Sequence, residues 1–274
     1  MEGTPVNEEA PDADGASETF AAARNAVTLG GTLAITTGLA LVVRLIIPRV
    51  LGPAVFGELR LAENAAEMLF VVLTFGVDMH LRREAAVDAS SARRYLSGLT
   101  ALRLILGTVA VIGVAAALHL RGSSPTLITL FVITAVAQTL LVLNNSYGAL
   151  EHASGEVGWL AKTSLGMKLL WAALMVAVLV GVRTAFAVAA VGLVVEAVRC
   201  VWLARRVRRH HGVQATPDLR LALGAVAASM PFFVNNVAHN VYARVGMSWL
   251  GAAVSGTEVG LYAAADNLAA IALL

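Results

Sequence analysis

Most of the chain divides into apolar stretches, and each stretch has the length that a helix needs to cross a bilayer, roughly 20 residues. This feature limits the possible fold more than any other. Hydrophobic residues make up 58% of the chain and charged residues only 14%, whereas a soluble domain usually carries about 25% charged residues. Such a chain cannot cover its own surface with water-facing side chains. We therefore expect an all-α fold, a polytopic membrane helical bundle.

The sequence predicts eight spans, separated by short turns that contain Gly, Pro or Ser. They cover about residues 24–48, 54–79, 94–119, 125–150, 156–181, 184–207 and 218–250, and an eighth span starts near residue 257 and runs to the last residue, 274. Span 7 is too long for one straight crossing and contains Pro231. A proline inside a helix removes a backbone hydrogen bond, so we expect a kink there.

A segment that follows span 1 returns near the end of the chain. "LGPAVFGELRLAEN" begins at Leu51, and "LGAAVSGTEVGLYAAADN" begins at Leu250, an offset of 199. Gly57 aligns with Gly260 at an offset of 203, because the second copy has four more residues in its turn. Six spans separate span 1 from span 7, so the two copies start on the same side of the membrane. The sequence thus predicts a parallel repeat of two similar lobes.

The repeat divides the chain into four parts. We expect a disordered acidic cytoplasmic tail over residues 1–20, a six-helix N-terminal lobe over 21–209, a cytoplasmic linker over 210–217 and the first helices of a second lobe over 218–274. The tail contains six carboxylates and no Lys or Arg, so it has too little apolar surface to fold. A complete second lobe needs about four more helices, so we expect a truncated copy.

Arginines in the loops and at the adjoining helix ends predict the orientation. Nine lie on one side of the membrane and three on the other: Arg82, Arg83, Arg93, Arg94, Arg205, Arg206, Arg208, Arg209 and Arg220 against Arg49, Arg121 and Arg183. Cytoplasmic loops carry the excess of Arg and Lys, so the amino terminus is expected in the cytoplasm. The "RRVRRHH" run next to span 6 is interpreted as a topology signal that contacts anionic membrane lipids, and not as a nucleic-acid site.

Charged and amide side chains within the spans are the candidate functional residues, because a charge at the bilayer centre costs about 2.5–3.5 kcal/mol. We expect a polar cavity, or lumen, lined by these side chains: Arg44, Arg60, Glu63, Glu67, Lys168, Asn236, His239, Asn240, Arg244 and Asp266. The spacing of three and four residues places Arg60, Glu63 and Glu67 on one face of span 2.

Alternatives remain open for several of these residues. Arg44 and Arg244 occupy nearly matching places in the two copies, but both could extend to the membrane surface instead. Arg199 is expected to do so. The asparagines could join helices by hydrogen bonds, and His239 could be a structural histidine.

Sequence signatures of enzymes are missing. The chain contains no G-x-x-x-x-G-K-[ST], no H-E-x-x-H and no G-x-S-x-G, so nothing indicates ATP hydrolysis, a zinc protease or a serine hydrolase. The single cysteine, Cys200, excludes an internal disulfide. We expect a protein that is not an enzyme and has no cofactor, and coupling to H⁺ or Na⁺ is left open.

Four segments carry a family resemblance: "IIPRVLGPAVFGEL", "FGVDMHLRREAA", "NNSYGALEHASGE" and "LGAAVSGTEVGLYAAADNL". Over residues 24–274 the chain resembles the polysaccharide-flippase branch of the multidrug/oligosaccharidyl-lipid/polysaccharide exporter superfamily. The resemblance implies two six-helix lobes that move lipid-linked oligosaccharide across the bacterial inner membrane by alternating access. It also implies that basic lumen residues receive the pyrophosphate and sugar, a role that suits Arg44, Lys168 and Arg244 by charge. Gly246 stands where relatives often have an acid, which argues against ion coupling there.

The leading hypothesis is therefore a flippase for lipid-linked polysaccharide repeat units. Its expected partners are the lipid-linked glycan, anionic lipids, a polysaccharide polymerase and glycosyltransferases. Two alternatives share the architecture: a drug/cation antiporter and a flippase for a lipid-linked peptidoglycan precursor. An antiporter for cations should favour an acidic or aromatic cavity. A membrane-embedded scaffold or enzyme of glycan assembly is the alternative from another class, and it requires a catalytic carboxylate or histidine pair that the sequence does not show.

Overall fold

A computed structural model describes residues 31, 36–78, 81, 89–212 and 218–272, and the expected tail lies outside this part of the chain. The described residues form nine helices of eight residues or more and no β-strand, which confirms the all-α bundle. The helices are α1 (36–51), α2 (Pro53–Leu73), α3 (Ala89–Leu120), α4 (Pro125–Ala153), α5 (Val157–Gly181), α6 (Ala185–His211), α7 (Leu219–Ala228), α8 (Met230–Ala253) and α9 (Gly256–Ala272).

Four helices are long and apolar enough to cross a membrane, and α7 with α8 makes a fifth if the bent pair counts as one span. These four lie within α3 to α6. The other predicted spans are helical too, but in the described part of the chain each of them is either shorter or more highly charged than these four helices. Helix α2 contains four charged residues, and α1 and α9 are 16 and 17 residues long in the described part. The chain is a multi-pass membrane protein.

Helix α2 lies at the centre of the bundle, where it packs against α4, α8 and α9. Helix α4 in turn packs against α3 and α6, and α5 packs on α6. Leu59, Leu130 and Phe131 are fully buried in the core between these helices. The outer faces are apolar as well: Val109 and Ile112 on α3 are more than 60% exposed. An apolar exterior around a packed core suits a surface covered by lipid.

The predicted kink in span 7 is confirmed as a break between α7 and α8. Helix α8 begins with Met230 and Pro231, and the two helix segments are bent by 61°. Ser229 lies buried at the break, and its hydroxyl donates a hydrogen bond to the carbonyl oxygen of Ala225 at 2.6 Å. Proline has no backbone N–H to continue the helix, so the direction of the chain changes at this point.

The two copies of the repeated segment meet in the structure, at the starts of α2 and α9. A methyl group added to Gly57 would overlap the carbonyl oxygen of Gly256, and one added to Gly260 would overlap the carbonyl oxygen of Pro53. Positions 53 and 57 become 256 and 260 at the offset of 203. The two contacts are therefore the same contact made twice, as an approximate two-fold axis requires. Only glycine lets two backbones approach so closely.

Candidate functional site

A cavity of about 460 Å³ lies between α1, α2, α4, α5, α6 and α9. Its volume falls within the range of about 300–1,000 Å³ that is usual for small-ligand pockets. Three sets of side chains matter for its chemistry. They are the charged residues Arg44, Arg60, Glu63, Glu67, Lys168, Glu196 and Arg199, the neutral polar residues Thr134, Gln138, Ser164 and Asn267, and the large side chains Phe56, Met167, Trp171 and Met175.

Half of the residues predicted to line a lumen do line this cavity. Arg44 comes from α1, Lys168 from α5, and Arg60, Glu63 and Glu67 from α2. The three residues of α2 share one helix face, as their spacing requires. The structure thus brings together charges that the sequence places on three separate spans.

Every carboxylate that lines the cavity has an arginine partner. Glu63 accepts a hydrogen bond from Arg60 at 2.7 Å. Glu67 forms an ion pair with Arg244 of α8. Glu196 lies 3.9 Å from Arg199. The side chain of Asn144 also donates a hydrogen bond to Glu196 at 2.7 Å. The negative charge of the cavity is therefore neutralised by two arginines of its walls and by Arg244 of the adjoining helix.

Arg44 and Lys168 differ from the other cavity cations. Within the described part of the chain, neither side chain has an ion pair or a hydrogen bond. Both side chains are exposed, so a solute can reach them. The ammonium group of Lys168 lies 5.8 Å from the centre of the Trp171 ring. The uncompensated positive charge of the cavity is concentrated at these two residues.

Arg244, Asn236 and Asn240 lie at the contact between α8 and α2, and they are not among the cavity-lining residues. The side chain of Asn236 donates to the hydroxyl oxygen of Thr74 at 3.1 Å, and Asn240 donates to Asn236 at 2.9 Å. Asn64 of α2 donates to the hydroxyl of Ser248 at 2.8 Å. These groups form a polar seam along the α2–α8 contact. Arg244 is connected to the cavity through its ion-pair partner Glu67, which lines the cavity.

The last two predicted site residues have different outcomes. Asp266 is exposed and does not line the cavity, whereas the adjacent Asn267 does. The side chain of His239 lies outside the part of the chain that the structure describes.

Several cavity residues were not predicted from the sequence. Ser164, Met167, Trp171 and Met175 lie with Lys168 on one face of α5. Their spacing of three and four residues is the signal that could have found them. A search for charges alone passes over neutral side chains. Arg199 was expected to reach the membrane surface, but it lines the cavity.

A second polar cluster is buried near the end of α2 and holds the bundle together. Arg103 of α3 is 2% exposed and donates hydrogen bonds to Asp78 at 3.0 Å and to the carbonyl oxygen of Thr74 at 2.9 Å. It also donates to Ser146 of α4, whose hydroxyl donates to Asp78 at 2.8 Å. A buried charge needs such partners to remain ionised. The cluster therefore joins α2, α3 and α4 and has a structural role.

Comparisons with known proteins agree with this architecture. The sequence model of the family described as polysaccharide biosynthesis protein matches residues 22–274. No curated protein matches the chain.

Two solved structures are similar in fold. One is named protein A, with a TM-score of 0.65 and 14% identity over 88% of this chain and 59% of that chain. The other is described as the crystal structure of MATE in complex with MaD5, with a TM-score of 0.52 and 16% identity over 86% of this chain and 63% of that chain. The chain thus spans about three fifths of the length of each. At such low identity the likeness shows the fold alone.

Proposed function

The chain belongs to the polysaccharide biosynthesis protein family, and we propose that it is a flippase for a lipid-linked oligosaccharide. In this proposal the cavity takes up the anionic head group and its sugars on one side of the membrane and releases them on the other. The single observation that supports it most is the pair of unneutralised cations, Arg44 and Lys168, in the wall of a cavity whose carboxylates are all paired.

The physical task of a flippase is to keep a charged and hydrated group out of hydrocarbon. Moving an isolated ion from water into a medium of low dielectric constant costs tens of kcal/mol by Born solvation. Charge-assisted hydrogen bonds from Arg and Lys can replace part of the lost hydration. Arg44 and Lys168 are available for this purpose, because no carboxylate of the described chain holds them. The apolar tail of the lipid needs no such shelter and stays in the bilayer.

The charge distribution favours an anionic cargo over a cationic one. A drug/cation antiporter of the same architecture needs an acidic group that is free to bind the cation. Glu63, Glu67 and Glu196 are all engaged by arginines, so a cation would have to displace an arginine from its partner. A lipid-linked peptidoglycan precursor presents the same anionic chemistry as a polysaccharide repeat unit. It remains the second candidate cargo, and only a comparison of the two head groups separates them.

We further propose that the chain lies in the bacterial inner membrane with its amino terminus in the cytoplasm. The arginines that follow span 6 support this orientation, because cytoplasmic loops carry the excess of basic residues. In this setting glycosyltransferases and a polysaccharide polymerase would supply and consume the cargo. The two-lobe organisation is proposed on the reciprocal contact of Gly57 and Gly260.

A transport assay with purified protein tests the proposal. The full chain is reconstituted into vesicles, and a fluorescent prenyl-diphosphate-linked sugar is followed from the inner to the outer leaflet by its accessibility to a quencher. We expect the chain to accelerate this exchange over protein-free vesicles. Lys168→Gln and Arg44→Gln should each slow it about ten-fold or more, whereas the matched control Arg205→Gln, an exposed arginine at the end of α6, should not.

Two results would contradict the proposal. One is exchange no faster than in protein-free vesicles, and the other is full exchange with both cavity cations removed. Equal amounts of folded protein in each vesicle sample, measured by gel filtration before reconstitution, ensure that the variants are compared at the same dose.

A further inference from the structure

We propose that Trp171 and the uncommitted polar side chains that line the same cavity form a subsite for a pyranose sugar attached to the anionic head group, with the sugar ring against Trp171 and the phosphate at Lys168 and Arg44. This inference rests on the proposed function and extends it. It assigns a second chemical task to the cavity, the recognition of the sugar next to the anion.

The aromatic part of the subsite is the face of α5 that lines the cavity. Ser164, Lys168 and Trp171 follow each other at intervals of four and three residues, so they lie on one stripe of the helix. The ammonium group of Lys168 lies 5.8 Å from the centre of the Trp171 ring. A cation and a broad aromatic surface thus reach the cavity together. An anion held by Lys168 would have its attached group beside the indole.

The polar part consists of three neutral side chains that line the same cavity. Gln138 comes from α4, Ser164 from α5 and Asn267 from α9. Within the described residues none of the three side chains has a hydrogen-bond partner, whereas all the cavity carboxylates are engaged. An amide offers both a donor and an acceptor, and a hydroxyl offers the same on one oxygen. These are the groups that can pair with the hydroxyls of a sugar.

A pyranose ring matches this combination of surfaces. Its C–H faces are apolar and pack against an aromatic ring, while its hydroxyl edges need donors and acceptors in the plane of the ring. Ligand pockets usually combine apolar or aromatic walls with a few placed polar groups. Cations alone would suit any small anion. The aromatic wall and the free amides add a preference for an anion that carries a sugar.

Tryptophan fluorescence can test the inference directly. The chain has four tryptophans, so changing Trp159, Trp202 and Trp249 to Phe leaves Trp171 as the only reporter. Purified protein in detergent is titrated with glucose 1-phosphate, inorganic phosphate and glucose. We expect a saturable change in Trp171 emission with glucose 1-phosphate, at a half-saturating concentration at least ten-fold below that of inorganic phosphate. Glucose alone should bind more weakly than glucose 1-phosphate.

Calorimetry with variants provides the second measurement. Trp171→Leu and Gln138→Leu should each weaken the binding of glucose 1-phosphate at least five-fold and leave that of inorganic phosphate unchanged. Trp202→Phe, on the exposed side of α6, is the matched control and should change neither. Equal affinity for glucose 1-phosphate and inorganic phosphate would overturn the sugar subsite and leave the flippase proposal standing. Binding of neither anion would contradict both proposals.

Discussion

Replacing Gly57 by alanine should force α2 and α9 apart, because the new methyl group would overlap the carbonyl oxygen of Gly256. Both contacting groups in this crossing are backbone, so no flexible side chain can move aside. Small-to-large changes at packed sites typically cost about 1–3 kcal/mol of the free energy of unfolding. Gly260→Ala should cost about the same, since it makes the equivalent overlap with Pro53.

Gly113→Ala is the matched control, because Gly113 is also within a helix and a methyl group there meets nothing within 4 Å. At an exposed helix position, alanine is more favourable than glycine by up to about 1 kcal/mol. The difference between the two classes of variant should therefore reach about 2–4 kcal/mol. The double variant should cost less than both single changes added together, because one separation of α2 from α9 relieves both overlaps.

Unfolding of the purified chain by SDS in mixed micelles, followed by circular dichroism, measures these differences. We expect Gly57→Ala and Gly260→Ala to lower the free energy of unfolding by similar amounts. The double variant should lower it by less than the sum of the two. If Gly57→Ala proved as stable as Gly113→Ala, or if the two losses added fully, the reasoning that α2 and α9 cross as equivalent copies would be wrong.

Three further predictions concern the ion pairs and the polar seam. Arg103→Met leaves the partly exposed Asp78 without its cation and should cost about 1–3 kcal/mol in the same unfolding assay; an unchanged free energy of unfolding would refute the role of the cluster. Asn64→Ala removes one hydrogen bond between helices and should cost only about 0.6 kcal/mol, so a loss above about 2 kcal/mol would contradict the assignment. Glu67→Gln frees Arg244 beside the cavity and should tighten binding of inorganic pyrophosphate about ten-fold, or 1.4 kcal/mol, by calorimetry; unchanged affinity would show that Arg244 does not reach the cavity.

The sequence predicts the helices and the kink well, because these depend on local chemistry. Apolar length marks a helix in a membrane, and Pro231 marks the break. The same local reasoning places Arg60, Glu63 and Glu67 on one face, and that face does line the cavity.

Pairing across the bundle could not be predicted in the same way. Whether Arg244 faces solvent, lipid or a carboxylate depends on where α8 lies relative to α2, and nothing in the local sequence encodes that position. Asp266 and Asn267 are neighbours in the sequence, but consecutive side chains of a helix point about 100° apart. Only Asn267 lines the cavity, and the sequence alone could not tell which of the two would do so. Neutral residues such as Gln138 resemble ordinary helix residues until a cavity appears beside them.

Binding of farnesyl diphosphate to the purified chain, measured by calorimetry, tests the central claim that Arg44 and Lys168 receive an anionic head group. The account predicts one saturable site per chain, with affinity at least ten-fold lower in Arg44→Gln and in Lys168→Gln, a loss of about 1.4 kcal/mol or more in each. Arg205→Gln should bind as the unaltered chain does. Equal affinity in all four proteins would contradict the account, because the charge that shelters the cargo would then lie elsewhere.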